Sequence, residues 1–399
     1  MDQLPTIVDC VGEFTDILQH HASSNKPFRL EEEATKITID VIGKVTCDHD
    51  FNSLTTSNEF VETLRKSLSW MPDSQSLNPF HRMNPLRQLF WRHYKNKMDR
   101  YIGKVLDERL ARGGQVDKKT RKKASIDLTL EEYWKETGRD TNGGPAVMDA
   151  EFRQYAIDNL LMLIVAGHDT TASTICYCYY LLNQNPDKLA KIRQEIDDVF
   201  GAGVSAKQQL KESPYLINKC EYTLAVIRET LRLFSPASTV RSGTKDYFVK
   251  DPATGNMLPT EGCMVWPALF SMHRDSRFYG ESANSFMPER FLPSNAESLP
   301  ANAFRPFEKG PRNCIGQELA LIEMKVILAL TIREFDVKGA FDELDSMNED
   351  GTLWVRDASF KGGVQTLFGD PAYQVLLAAG KPREGMPARV SRRMSMRGE

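Results

Sequence analysis

Residues 307–316, FEKGPRNCIG, set a single cysteine between two glycines with an arginine two residues before it. An apolar-periodic segment follows at once, with Leu319, Ile322, Val326 and Leu330 on one helical face. The loop therefore presents Cys314 at the mouth of a helix. Gly310 and Gly316 let the backbone turn tightly and come close to a bulky, flat ligand. The N–H groups and positive dipole end of the helix point back at the sulfur, which lowers the thiol pKa and favours thiolate.

Arg312 adds a permanently charged fork suited to a carboxylate on the same ligand, and Phe307 an aromatic wall. A thiolate, a carboxylate-bearing planar partner and an aromatic wall together describe haem held by cysteine. The alternative is an inert buried cysteine in a turn. The fixed positions F-x-x-G-x-R-x-C-x-G arise by chance in a chain this long on the order of once in ten thousand. Cys10, Cys47, Cys176, Cys178, Cys220 and Cys263 are expected to be packing residues.

Upstream, residues 149–182 are long and mostly apolar, with helical recurrence at Ile157, Leu160, Leu161, Ile164 and Val165. The pattern predicts one buried helix. A membrane span fits less well, because Gly167, His168, Asp169 and two threonines fall at its centre. Asn185 and Pro186 suit the N-cap and first position of the next helix. A further helix is predicted over Tyr215–Phe234, with Leu224, Ile227, Leu231 and Phe234 on one stripe. The β-prone pieces DYFV and CMVW flank the turn-rich DPATGN, and GDPA near Gly369 suggests a late hairpin. The chain reads as mainly α with minor β, a single domain over 1–399 with a frayed tail from 391.

The bulk properties bound the function. The chain has 399 residues, 41% hydrophobic, enough for a large core. Fifty-one Lys and Arg stand against 54 Asp and Glu, so charge points to neither nucleic acid nor an anionic membrane. The seven cysteines are odd in number and scattered, which fits a reducing compartment and no zinc site. The first residues lack the basic flank of a signal peptide and the apolar run of a membrane anchor. Lys118–Lys123 (KKTRKK) and Gly138–Ala146 read as surface segments.

FEKGPRNCIG resembles the haem-binding loop of the cytochrome P-450 superfamily, and three other stretches agree in order and spacing. AGHDTT, Ala166–Thr171, resembles the oxygen-activation motif of that family's long central helix. ETLR, Glu229–Arg232, resembles its E-x-x-R helix, and FMPERF, Phe286–Phe291, the arginine-bearing segment that pairs with it. Glu229 and Arg232 lie three apart on one helix face, and Arg290 can complete a carboxylate between two guanidiniums. The family assigns that triad a structural role.

The resemblance implies a cytochrome P-450 fold of the eukaryotic microsomal, fungal-like type, with Cys314 as axial ligand to haem iron. Phe307, Gly310, Arg312 and Gly316 would complete the loop's hold on the cofactor, with Arg241 a second propionate partner. The segments Pro236–Val240 and FKGGVQTLF would line the substrate pocket. It implies a monooxygenase inserting one atom of O2 into a lipophilic small molecule, as in secondary metabolism. Thr170 and Asp169 would form the proton relay to bound oxygen. Gly167 would clear space for that oxygen, while Thr170 could bend the helix by bonding back to a carbonyl. Without a G-x-G-x-x-G fingerprint or flavin segment, electrons would come from NADPH through a separate reductase.

The resemblance departs at the front. The anchor and first helices of the microsomal members find no counterpart here, which would leave one side of the haem and part of the pocket open. Full-length members sit on the cytosolic face of the endoplasmic reticulum membrane, whereas this chain alone would be cytosolic. Two other readings follow: a haem-thiolate isomerase or dehydratase that does not use O2, and a non-catalytic remnant.

Overall fold

The structure, a computed structural model, describes residues 1–71, 84–111, 123–137, 148–296, 299–346, 366–367, 369–377 and 379–393. Its long helices are α1 (Leu4–Ser24), α2 (Leu30–Cys47), α3 (Glu59–Trp70), α4 (Pro85–Ala111), α5 (Ser125–Thr137), α6 (Ala150–Gln184), α7 (Pro186–Phe200), α8 (Ala206–Glu212), α9 (Glu221–Leu233) and α10 (Gln317–Thr331). The expected mainly helical architecture is present. Among the described residues no helix is long and apolar enough to cross a membrane.

The central element is α6, 35 residues long. Asp149 caps it, its carboxylate accepting from Phe152 N at 2.9 Å. In the first half burial is confined to a stripe of Ala156, Ile157, Leu160, Leu161 and Ile164. From Thr171 to Leu182 every residue is buried, because α2, α9 and α10 all pack against that half. Each fully buried Leu or Ile there contributes about 1.5–3 kcal/mol. The first half instead shares a second core with α3, α4 and α5 through Phe60, Ile102, Ile126 and Leu130.

The minor sheet is antiparallel throughout. The strands β1 (Phe28–Arg29), β9 (Pro387–Arg392) and β6 (Phe335–Gly339) form one sheet in that order. β2 (Arg241–Ser242) pairs with β5 (Met264–Val265). The turn at Asp251–Asn256 joins β3 (Phe248–Lys250) to β4 (Met257–Pro259), and β7 (Gln374–Leu377) pairs with β8 (Ala379–Pro382).

Three local expectations need correction. The helix expected over Tyr215–Phe234 is two pieces, a 3-10 turn at Pro214–Lys219 and then α9. The break holds because the Glu195 carboxylate on α7 accepts from the backbone N–H groups of Tyr222 and Thr223 and from the Thr223 hydroxyl, capping α9 from outside. Asn185 and Pro186 do stand at the N-cap and first position of α7 as expected, though the Asn185 side chain donates 2.7 Å back to Leu181 O and closes α6 rather than bonding into α7. Gly369 sits in a local turn bridged by Leu367 and Asp370, and the late hairpin is β7–β8 just beyond it. Order also runs into the expected tail, since Ser391 and Arg392 pair with Asp336 and Phe335 across β9 and β6. Lys118–Arg121, Lys122, Gly138–Ala146 and residues 394–399 lie outside the described residues.

Candidate active site

The cysteine loop is built on its own backbone. Cys314 N donates 2.8 Å to Phe307 O and Asn313 N donates 3.0 Å to Gly310 O. Gly310 turns at φ +82°, a left-handed conformation that L side chains rarely adopt. Gly316 is the N-cap of α10 and brings no side chain to cover the helix end. Phe307 packs against the main core, while Cys314 is exposed. Burial keeps five other thiols protonated, pushing Cys10, Cys178 and Cys220 up to about 12, Cys47 to about 11 and Cys176 well above its ordinary value. Cys263, expected as a packing residue, is exposed instead, because it sits in the tight turn between β4 and β5.

A chain of contacts joins this loop to its surroundings. Glu308, held at φ +56°, accepts from Thr239 Oγ1 at 3.0 Å and from Arg305 at 2.6 Å. Thr239 is two residues from Arg241, so the segment that carries Arg241 is tied to the cysteine loop. Among the described residues neither Arg241 nor Arg312 pairs with a carboxylate, and both are exposed. The same segment is fixed at its other end, where Gly380 N on β8 donates 2.7 Å to Pro236 O. Gly380 O in turn accepts from Ser173 of α6 at 2.6 Å. Along this route Val240, Trp266, Ile315 and Leu376 leave large apolar side chains uncovered. The expected pocket segment FKGGVQTLF lies outside the described residues apart from Thr366 and Leu367.

On α6 the open face is the stripe Met162, Ala166 and Thr170, spaced four apart. Thr170 Oγ1 donates 3.0 Å back to Ala166 O, the back-bond expected of it. Gly167 faces elsewhere: a Cβ there would stand 2.9 Å from Ile42 Cδ1. Its missing side chain lets α2 approach α6 and does not clear the open face. Gly167→Val should therefore lower stability by about 1–3 kcal/mol through overpacking. Denaturant unfolding checks this, and Ile42→Ala in the same background should recover part of the loss.

Asp169 turns away from Thr170 into the protein. Its Oδ1 lies 2.7 Å from Lys381 Nζ on β8 and 3.2 Å from His168 Nε2. Burial alone would raise its pKa, but His168 and Lys381 outweigh burial and hold the carboxyl well below the usual range. Lys381 also reaches Glu31 of α2, Nζ to Oε1 3.0 Å. His168 is fixed from its other side, Nδ1 donating 2.8 Å to Ile164 O. Glu31, His168 and Lys381 were missed in the sequence. The one faint signal was a lone lysine in the apolar stretch VLLAAGKP.

Glu229, Arg232 and Arg290 come together as the spacing implied. Arg232 grips Glu229 with two 2.7 Å bonds and donates to the carbonyls of His273, Ala283 and Ser285. Arg290 Nε meets Glu229 at 3.3 Å from the other side. Glu229 and Arg232 are 0% exposed. The geometry fixes the segment 273–290 onto α9 and offers no group to a ligand.

Comparisons with known proteins agree. Residues 3–359 match the family model for cytochrome P450. The chain is 37% identical to the cytochrome P450 monooxygenase acrF of Aspergillus aculeatus, over 98% of this chain and 78% of that protein. It is 35% identical to the cytochrome P450 monooxygenase polC of Polytolypa hystricis, over 98% and 68% of the two chains. A crystal structure of a cytochrome P450 (CYP102L1) superposes with a TM-score of 0.71 at 21% identity, covering 98% of this chain and 77% of that one, and so shares the fold. On the family match over most of its length, borne by a cysteine loop and central helix of the geometry above, the chain belongs to the cytochrome P450 family and is a cytochrome P450 monooxygenase.

Proposed function

We propose that the chain inserts one oxygen atom of O2 into a lipophilic small molecule of secondary metabolism, with haem held by Cys314 and electrons drawn from NADPH through a separate reductase. The observation that carries the reading is the exposed Cys314 on a preformed turn at an uncapped helix N-terminus. The residues present fit the cofactor. A soft sulfur donor faces outward, two guanidiniums without carboxylate partners among the described residues await the propionates, and Gly310 has open space where a Cβ would stand. Haem so held supplies the binding and activation of O2.

The chain's own residues then have distinct tasks. Cys314 would ligate, with the first turn of α10 stabilising its negative charge. Arg312 and Arg241 would anchor the propionates. Thr170 already commits its proton to Ala166 O, so its lone pairs are left free to accept and pass on a proton on the open face of α6. Asp169, one residue away and held ionised by His168 and Lys381, would be the relay's carboxylate, accepting a proton from outside before passing it on. The uncovered apolar side chains of Val240, Trp266 and Leu376 support a lipophilic substrate. The two relatives matched over most of this chain, both cytochrome P450 monooxygenases, support the reaction class.

The test is carbon monoxide binding. The protein expressed with haem supply, reduced and exposed to carbon monoxide should show the red-shifted Soret band of thiolate ligation. A folded protein without that band overturns the reading.

A further inference from the structure

The cluster around Asp169 has a feature that the oxygen-activation motif does not contain. Its counter-ion comes from β8, far along the chain, and is shared with α2. Lys381 Nζ stands between two carboxylates, Asp169 at 2.7 Å and Glu31 at 3.0 Å, with all three side chains largely buried. Thr35 Oγ1 donates 3.1 Å to the same Glu31 oxygen, so the outer end of the cluster is itself fixed. The lysine's backbone is pinned as well, since its neighbour Gly380 bonds both Ser173 of α6 and Pro236.

We propose that Lys381 is a positioning residue for Asp169, holding its carboxylate on the closed side of α6 by a direct ion pair, with Glu31 as a second carboxylate that shares the ammonium. This rests on the reading of Asp169 as the carboxylate of the proton relay. The groups facing Asp169 are His168 on its own helix, Lys381 from β8 and, behind the lysine, Glu31 from α2. Lysine sits there without losing its proton because two carboxylates outweigh the cost of burial, and its pKa is raised accordingly. One carboxylate alone would leave that ammonium with a single partner in a buried site. The arrangement of two anions about one cation also leaves Asp169 the only member of the pair that lies next to Thr170 in sequence.

The experiment is an acid titration of Asp169 by infrared difference spectroscopy, with Asp169→Asn identifying the band of its protonated acid; it needs neither substrate nor turnover. In the native protein that band should be absent across the range in which the protein stays folded. In Lys381→Met it should appear, with a midpoint about 1–3 pH units higher. Lys381→Arg should restore the native behaviour. Glu31→Gln should not raise the midpoint, since it removes a negative neighbour; a general loosening of the site would raise it in both variants. If Lys381→Met fails to fold, Lys381→Gln carries the same expectation. A midpoint unmoved by loss of the lysine, or one raised equally by Glu31→Gln, overturns the proposal. The carbon monoxide band is scored separately on the same proteins. Its absence with the infrared shift present would strike the haem-thiolate reading, and its presence without the shift would strike this one.

Discussion

Cys314→Ala is expected to abolish the thiolate Soret band of the reduced, carbon monoxide-treated protein and to bring oxygenation to background. The argument starts from exposure. Cys314 is exposed, and its loop is held by backbone bonds, Cys314 N to Phe307 O and Asn313 N to Gly310 O, that alanine leaves intact. Loss of an exposed side chain away from caps and special backbone angles costs within about 0.5 kcal/mol, so the variant should fold. A missing band then reports a missing ligand rather than a missing protein. Cys263→Ala is the matched control, because that thiol is also exposed but sits in the β4–β5 turn; its band should equal that of the native protein. A Cys314→Ala protein that keeps the native band would remove Cys314 as ligand.

What the sequence revealed follows from how local each signal is. The cysteine loop, the Glu229–Arg232 pair and the course of α6 could be read because their determinants lie within one turn or one helical stripe. Even the back-bond of Thr170 to Ala166 follows from i−4 geometry alone. The failures are non-local. The break before α9 depends on Glu195, a residue of α7 whose carboxylate reaches the Tyr222 and Thr223 amides only after folding. Gly167 looked like space for a ligand, yet what stands opposite it is Ile42, placed there by helix packing. The partners of Asp169 come from α2 and β8, and no periodicity links Glu31 to Lys381. Charge pairing across elements leaves almost no trace in a single chain's pattern, whereas hydrophobic recurrence does.

The largest stability effect is expected at Glu229. Removing it as Glu229→Ala should cost about 3–5 kcal/mol, since it leaves Arg232 charged, fully buried and without its anion. Against a typical stability of about 5–15 kcal/mol this is a third or more of the total, and denaturant unfolding reads it directly. Arg232→Ala should be severe for a different reason. Glu229 keeps Arg290 and the amide of Met287, which donates to it at 2.8 Å, so its charge stays partly compensated. What is lost is the donor to the carbonyls of His273, Ala283 and Ser285. Arg232→Lys should rescue little, because an ammonium cannot supply two parallel bonds to Glu229 and reach those carbonyls at the same time. The pair Glu229→Gln with Arg232→Met discriminates further. Where a buried ion pair acts only as a pair, replacing both members by neutral groups can be near neutral. Here three backbone carbonyls would lose their donor, so the double variant should remain destabilised by several kcal/mol, at about 1–3 kcal/mol for each unsatisfied group. A double variant as stable as the native protein would show that the arginine's hold on residues 273–285 contributes little, and that the triad's worth lies in its charges alone.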